Sequence, residues 1–277
     1  MYESFFGFAE RPFALAPDPA FLYRSPHHVH GLQALEYGLV NHAGFVLLTG
    51  EVGSGKTLLI RKLLGDLNQD YVVGLISNTS RGFGSLMQWI CLAFELEHRG
   101  QSTPELYEAF VAFLARTYAD RRGALLIVDE AQNLDAAVLE ELRVLSNVNA
   151  DKNQVLQTIL VGQPELRTLL RQPQLRQFAQ RISCDFHLPG LRLADCQQYV
   201  QHRLRVAGGA PGLISSAAIE LAWKASNGIP RLVNQLCDLA LVYAFGDGQR
   251  QVDLPIMQSV VSDRERGGLW QHAAISV

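Results

Sequence analysis

The stretch Phe45-Val46-Leu47-Leu48-Thr49-Gly50-Glu51-Val52-Gly53-Ser54-Gly55-Lys56-Thr57 decides how the rest of the chain is read. Five apolar or β-prone residues are followed by an octet fitting GxxxxGK[ST], and Leu58–Leu64 continues in helical periodicity. Strand, glycine-rich loop and helix in that order make a cradle for phosphate. Glycines let the backbone turn tightly enough for its N–H groups to surround an anion. The helix start adds partial positive charge. In that setting Lys56 reaches the β- and γ-phosphates of a nucleotide, and Thr57 places its hydroxyl on a Mg²⁺ ion. Gly50, Glu51, Val52, Gly53, Ser54, Gly55, Lys56 and Thr57 are therefore expected to bind ATP, with Mg²⁺ as its companion.

Further along, Ala124-Leu125-Leu126-Ile127-Val128-Asp129-Glu130 is an apolar run ending in two acids. Open α/β sheets bind ligands at the carboxyl ends of their strands, where these acids would stand. Asp129 is expected to orient the metal through its bound water, and Glu130 to polarise the attacking water as general base. Asp129 alone could equally be a helix cap; the glycine loop upstream favours the metal role. A glutamate directly after the aspartate points to hydrolysis rather than transfer onto a second substrate.

Outward from these two segments, the chain alternates strands and helices. Strands are expected at Phe45–Thr49, Tyr71–Ser77, Ala124–Asp129, Val155–Val161 and near Cys184–Leu188, with amphipathic helices at Lys56–Leu67, Phe83–Phe94, Pro104–Tyr118 and Ala136–Asn147. Continuous apolar strands separated by helices predict a doubly wound parallel sheet covered on both faces, ending near Pro189-Gly190. Beyond it the pattern is helical only. Asp195–Val206 stops before Gly208-Gly209, Ser215 caps a helix ended by Asn227-Gly228, Pro230 opens the next, and Asp253 caps the last. The expected organisation is an N-terminal segment over 1–40, a nucleotide-binding domain over 41–190, a small helical lid over 191–262 and a frayed tail over 263–277. The opening segment is dense in aromatics and prolines, from Phe5 to Tyr23, which favours an extended chain with its rings buried against the main body.

Composition narrows the field. The 277 residues are 48% hydrophobic and 18% charged, enough for a sizeable core, and no apolar run approaches the ~20 residues of a membrane span. The first residues carry acids and no basic leader, so a cytoplasmic location is expected. Four cysteines without a CxxC pair argue against structural zinc or a disulfide framework. The cluster His27, His28 and His30 lacks neighbouring ligands at metal spacing and reads as a solvated helix start. A net charge of −3 supplies no general attraction to nucleic acid, though it leaves room for a local basic patch.

The segments MYESFFGFAERPFALAPDPAFLY, GFVLLTGEVGSGKT, LLIVDEAQNL, LEELRVLSN, ILVGQPEL, FAQRI and NGIPRLVNQLCD, spread over Met1 to Cys237 and just beyond, resemble AAA+ ATPases. More narrowly they are similar to the group typified by general secretion pathway protein A, with a branch encoded beside exosortase and exopolysaccharide genes. The opening segment, VGQPEL and GIPR are the specific parts; the two nucleotide motifs are shared more widely. The resemblance implies a P-loop AAA+ core with a helical lid. It also gives roles to further residues. Gln163 takes the first sensor position between Glu130 and the γ-phosphate, where an amide can both donate and accept. Asn78 either holds Glu130 back until a partner engages or is a plain strand-end residue. Arg181 matches the finger that enters a neighbouring subunit's site, with Arg176 as a second candidate. Arg231 matches the second sensor, on the lid; an arginine in a helix's first turn opposes the dipole, which supports a functional reason for it. Part of the stretch Pro17–Tyr23 is expected beside the adenine, with no contacting residue assigned, while Phe5, Phe6, Phe8 and Phe13 read as packing.

As partners the resemblance implies a homo-oligomer, a ring or partial ring with an arginine acting in trans, and a protein of an envelope complex, with peripheral attachment at the inner membrane. Secretion-pathway members continue into a transmembrane helix and a peptidoglycan-binding region, whereas this sequence stops at Val277; peptidoglycan binding is not carried over, and the shorter form fits the exopolysaccharide branch. The favoured reading is an ATPase that assembles, remodels or regulates an exopolysaccharide or protein-export machine. The alternative is a DNA-linked helper ATPase of the transposition or replication-initiator type, for which Arg167–Arg181 and Arg203/Arg205 supply candidate cations. A small-molecule kinase on the same loop is disfavoured by Glu130, Arg181 and Arg231.

Overall fold

Five parallel strands, β1 (Phe45–Gly50), β2 (Tyr71–Ile76), β3 (Gly123–Val128), β4 (Leu156–Gly162) and β5 (Ile182–Leu188), form one sheet in the order β2-β3-β4-β1-β5 in the computed structural model of the chain. The structure describes residues 1–15, 19–21, 23–67, 70–77, 85–148 and 155–267. They divide into two units: His30–Gly50 with Lys56–Leu188, which contains the sheet, and Met1–Val29, Glu51–Gly55 and Pro189–Val277, whose described part is helical.

In the sheet unit, alternate residues of each central strand serve opposite faces, as the pleat requires. Phe45, Leu47, Ala124, Leu126, Val128, Leu156 and Leu160 join one core; Val46, Leu48, Leu125, Ile127, Ile159 and Val161 join the other. In chain order the helices before β5 are α1 (Glu3–Phe6), which lies in the helical unit, α2 (Pro26–Val40), most of which lies in the sheet unit, α3 (Lys56–Asp66), α4 (Leu86–Ala93), α5 (Thr103–Ala119), α6 (Ala136–Leu145), α7 (Pro164–Leu170) and α8 (Arg176–Ala179). Leu106, Phe110 and Leu114 of α5 and Leu139, Leu142 and Leu145 of α6 cover the first face; Leu35 and Leu39 of α2 with Leu59, Ile60 and Leu63 of α3 cover the second. The doubly wound parallel sheet expected from the apolar runs is present. Its helix starts are cut where capping chemistry allows: Ser85 and Gln88 form a capping box on α4, and Asp135 accepts from the Val138 N–H on α6. The short helices α7 and α8 were not anticipated.

The strand order places the functional strand ends side by side. β1 and β3 both flank β4, with Thr49 opposite Gly162 and Val128 opposite Leu160. Since all strands run the same way, Gly50, Asp129 and Gln163 emerge at one edge of the sheet.

The helical unit adds α9 (Leu193–Val206), α10 (Ser216–Ser226), α11 (Pro230–Gly246) and α12 (Leu254–Arg266). Ser215 and Asp253 cap α10 and α12 through their side chains, and Asn227 closes α10 in the left-handed conformation with φ 50°. The N-terminal aromatics belong here. Tyr2, Phe8, Phe13 and Phe21 are buried in a core shared with α9, α10, α11 and α12. The rings expected to be buried against the main body pack with the C-terminal helices, in the unit that holds Met1–Val29. Arg203 explains the attachment: buried on α9, its guanidinium donates to the carbonyls of Pro12 (2.5 Å) and Ala14 (3.1 Å) and stacks 4.8 Å from the Phe21 ring centre. Among the described residues, no helix is long and apolar enough to cross a membrane.

Candidate nucleotide site

The loop after β1 is built as its glycines demand. Gly53 and Gly55 have φ +83° and +107°, which residues with a side chain rarely adopt. A Cβ on Gly53 would stand 2.4 Å from Arg231 Cβ, and one on Gly55 would stand 2.7 Å from His28 Nε2. The Ser54 hydroxyl is buried and has no hydrogen-bond partner among the described residues. A tight backbone turn with an unmet buried hydroxyl suits an anionic group with several acceptor oxygens.

His28 and Arg231 flank this loop within the helical unit. His28, expected to be solvated, is buried; its Nδ1 lies 2.7 Å from Ser25 Oγ and its Nε2 lies 3.1 Å from the Ser54 carbonyl. Burial pushes its pKa below the ordinary value, against a smaller upward push from the Ser54 carbonyl. The neutral ring thus donates from Nε2 and accepts at Nδ1. Arg231 is exposed in the first turn of α11, and its backbone N–H donates to the Gly53 carbonyl at 3.3 Å.

In the sheet unit the buried Lys56 ammonium donates to the Gly50 carbonyl at 2.7 Å. Thr57 Oγ1 lies 3.4 Å from Asp129 Oδ2, so the two segments read separately from the sequence meet here. The other Asp129 oxygen accepts from the Glu130 N–H at 2.9 Å. Burial raises the Asp129 pKa, with the Glu130 N–H, Lys56 and Thr57 acting in the opposite direction. A hydroxyl and a carboxylate side by side fit Mg²⁺, which takes one or two protein oxygens and fills the rest with water and phosphate. The described residues contain no group of three or more His, Cys, Asp or Glu able to hold a metal by themselves.

Glu130 is left-handed, with φ 53°. Its Oε2 accepts from Gln163 Nε2 at 3.2 Å and from Gln132 Nε2 at 2.6 Å. Gln163 thus stands beside Glu130, at the end of β4 and the start of α7. Gln132 was missed; its only trace in the sequence is its place two residues after the glutamate. Arg181 is tied within its own chain, donating to the Arg143 carbonyl (3.0 Å), to Ser146 Oγ and to Asn147 Oδ1 (2.7 Å) at the end of α6. Arg176 is exposed, with no side-chain partner among the described residues. Asn78 and part of Pro17–Tyr23 lie outside the described residues, as do 268–277.

Residues 40–170 match the family model described as an AAA domain. The chain has the sheet order and loop of the AAA+ P-loop fold, a fold that implies nucleotide binding. It is similar to general secretion pathway protein A of Aeromonas hydrophila, with 41% identity over 98% of this chain, and spans about half that protein's length (50%). Among solved structures, the Aeropyrum pernix ORC2 protein in its ADPNP–ADP complexes aligns with TM-score 0.64 and 17% identity, over 92% of this chain and 72% of that one. The Thermotoga maritima RuvB Holliday junction branch migration motor aligns with TM-score 0.54 and 18% identity, over 91% and 72%. At these identities the two structures speak for the fold alone.

Proposed function

We propose that the chain hydrolyses Mg²⁺-bound ATP and uses the cycle to assemble, remodel or regulate a bacterial envelope machine for protein or exopolysaccharide export. The observation that carries the enzymatic part is the approach of Thr57 to Asp129 at 3.4 Å, with Glu130 next in the chain and Gln163 hydrogen-bonded to it. Lys56 and the loop amides would bind the phosphates. Thr57 and Asp129 would hold the metal, which when bound supplies positive charge against the phosphate oxygens. Glu130 would take a proton from the attacking water, and Gln163 would orient the reacting group by its amide. Arg231, whose backbone is tied to the loop at Gly53, would sense the bound nucleotide from the lid.

Arg181, or Arg176 nearby, would act in a neighbouring copy of the chain, so the active form is a homo-oligomer. The envelope role is supported by the likeness to general secretion pathway protein A over nearly the whole chain. Of the arginines behind the DNA-linked reading, Arg171, Arg176 and Arg205 are exposed, while three others are engaged within the chain. Arg167 pairs with Asp185 and Thr49, Arg181 is tied to α6, and Arg203 is buried on the N-terminal segment.

Phosphate release measured over a range of protein concentrations tests the proposal. Lys56→Ala should lose nucleotide binding, while Glu130→Gln should bind ATP and fail to turn it over. Specific activity should rise with concentration and vanish in Arg181→Ala. Turnover in Glu130→Gln equal to the parent's would remove the general-base assignment.

A further inference from the structure

We propose that Gln132 is the positioning residue of Glu130, an inference that rests on the reading of Glu130 as general base. Gln132 lies on the 3₁₀ turn Ala131–Asn133, directly after the two acids. Its amide is bound at both ends. The oxygen accepts the backbone N–H of Gln163 at 3.0 Å, and the nitrogen donates to Glu130 Oε2 at 2.6 Å. The Gln163 side chain donates to that same carboxylate oxygen at 3.2 Å. One amide therefore links the main chain at the end of β4 to the glutamate at the end of β3.

Two further features point the same way. Glu130 adopts a left-handed backbone that is uncommon outside glycine and asparagine, and such conformations persist where the surroundings over-determine them. Gly162 leaves the space Gln132 occupies: a Cβ there would lie 3.0 Å from Gln132 Oε1 and 2.8 Å from Leu166 Cδ2. A glutamate has three rotatable bonds, and its neighbours decide whether its carboxylate stays where a proton must be taken. Here Gln132 fixes one oxygen in register with Gln163, so the base and the first sensor are held as one unit. Without that bond the carboxylate loses its shorter tether and its link to the Gln163 main chain, while the phosphate-binding loop is untouched.

The test uses Gln132→Glu and Gln132→Leu. The first keeps size and the acceptor for the Gln163 N–H but replaces the donor by a second carboxylate oxygen; the second removes both bonds. Binding of a fluorescent ATP analogue and steady-state phosphate release with Mg²⁺ are measured for each. Both variants should keep the analogue's Kd and the KM for ATP within about twofold of the parent. Both should lose on the order of ten- to a hundredfold in kcat. Gln132→Glu should cost nothing further on a Glu130→Gln background. Independently of turnover, the Gln132 side-chain amide resonance of the ¹⁵N-labelled, nucleotide-free protein should move in Glu130→Ala. Parental kcat in Gln132→Glu, or an unmoved amide signal, would overturn the inference. If Glu130→Gln itself hydrolyses ATP like the parent, it is the general-base reading that fails.

Discussion

His28 Nε2 lies 3.1 Å from the carbonyl of Ser54, so a residue at the start of α2 fixes the backbone of the phosphate loop. Replacing His28 by Ala leaves the Ser54 carbonyl and the Ser25 hydroxyl short of a partner in a buried setting. A loss of about 1–3 kcal/mol follows from uncompensated burial. Urea denaturation of the variant and parent measures it, and nucleotide affinity should fall with it.

The same histidine makes stability depend on pH. Burial depresses its folded pKa, so above the ordinary value of 6.5 both folded and unfolded forms are neutral and its contribution is complete. As pH drops through 6.5 the unfolded chain takes up a proton that the folded ring resists, and stability declines until the depressed folded value is passed. His28→Gln should flatten this part of the stability curve relative to the parent. Parallel curves for the two proteins would show that the ring titrates as it does in water.

Gly53 and Gly55 should not tolerate alanine. Left-handed backbone costs a non-glycine residue about 1–2 kcal/mol, and the added Cβ at Gly53 meets Arg231 Cβ at 2.4 Å, where no flexible tip can yield. Gly53→Ala should therefore lower the denaturation midpoint and abolish ATP binding. Gly100, also left-handed at φ +72° but with no atom within 4 Å of an added Cβ, gives the control: Gly100→Ala should show strain alone and bind ATP normally.

Arg181 is held at the end of α6 by three acceptors, where a cation also meets the negative end of the helix. Its loss should destabilise the protein by about 1–3 kcal/mol at every protein concentration. Thermal melts of Arg181→Ala at dilute and concentrated protein read this directly. A variant as stable as the parent would mean that the guanidinium is held too weakly to be detained from a neighbouring subunit.

Arg203 should be the most sensitive arginine in the helical unit. Arg203→Met keeps the apolar stem but strands the Pro12 and Ala14 carbonyls and the contact with Phe21. A cost of about 2–4 kcal/mol is expected from losing charged hydrogen bonds in a buried site. Proteolytic release of the first residues should accelerate in the variant.

The sheet was legible because a buried parallel strand has to be continuously apolar, and Ala124–Val128 and Phe45–Leu48 have few other places to go. Helix ends were legible at some caps, as at Ser215 and Asp253, but not at Ser85, whose capping box opens α4 at Leu86 and not at the expected Phe83. The short helices α7 and α8 are too brief for periodicity to register. The destination of Phe8 and Phe13 was hidden for a different reason: apolar rings announce burial without naming the core that receives them. His28 was misread because a histidine among histidines looks solvated, and only the fold brings Ser54 to it. Gln132 left only its place two residues after the glutamate, since its other partner, Gln163, lies 31 positions further along the chain.

The bond from the Tyr2 hydroxyl to Asp238 bridges 236 positions of sequence. A ribosome adding about 5–20 residues per second needs on the order of ten to fifty seconds to travel that distance. Once they leave the exit tunnel, and for most of that interval, the phenyl rings of the opening segment are exposed while the helices that will enclose them are still incomplete. Translation speed and chaperone supply therefore bear on the yield of this protein, and codon changes that slow the ribosome ahead of α11 lengthen the period in which those rings can stick to one another.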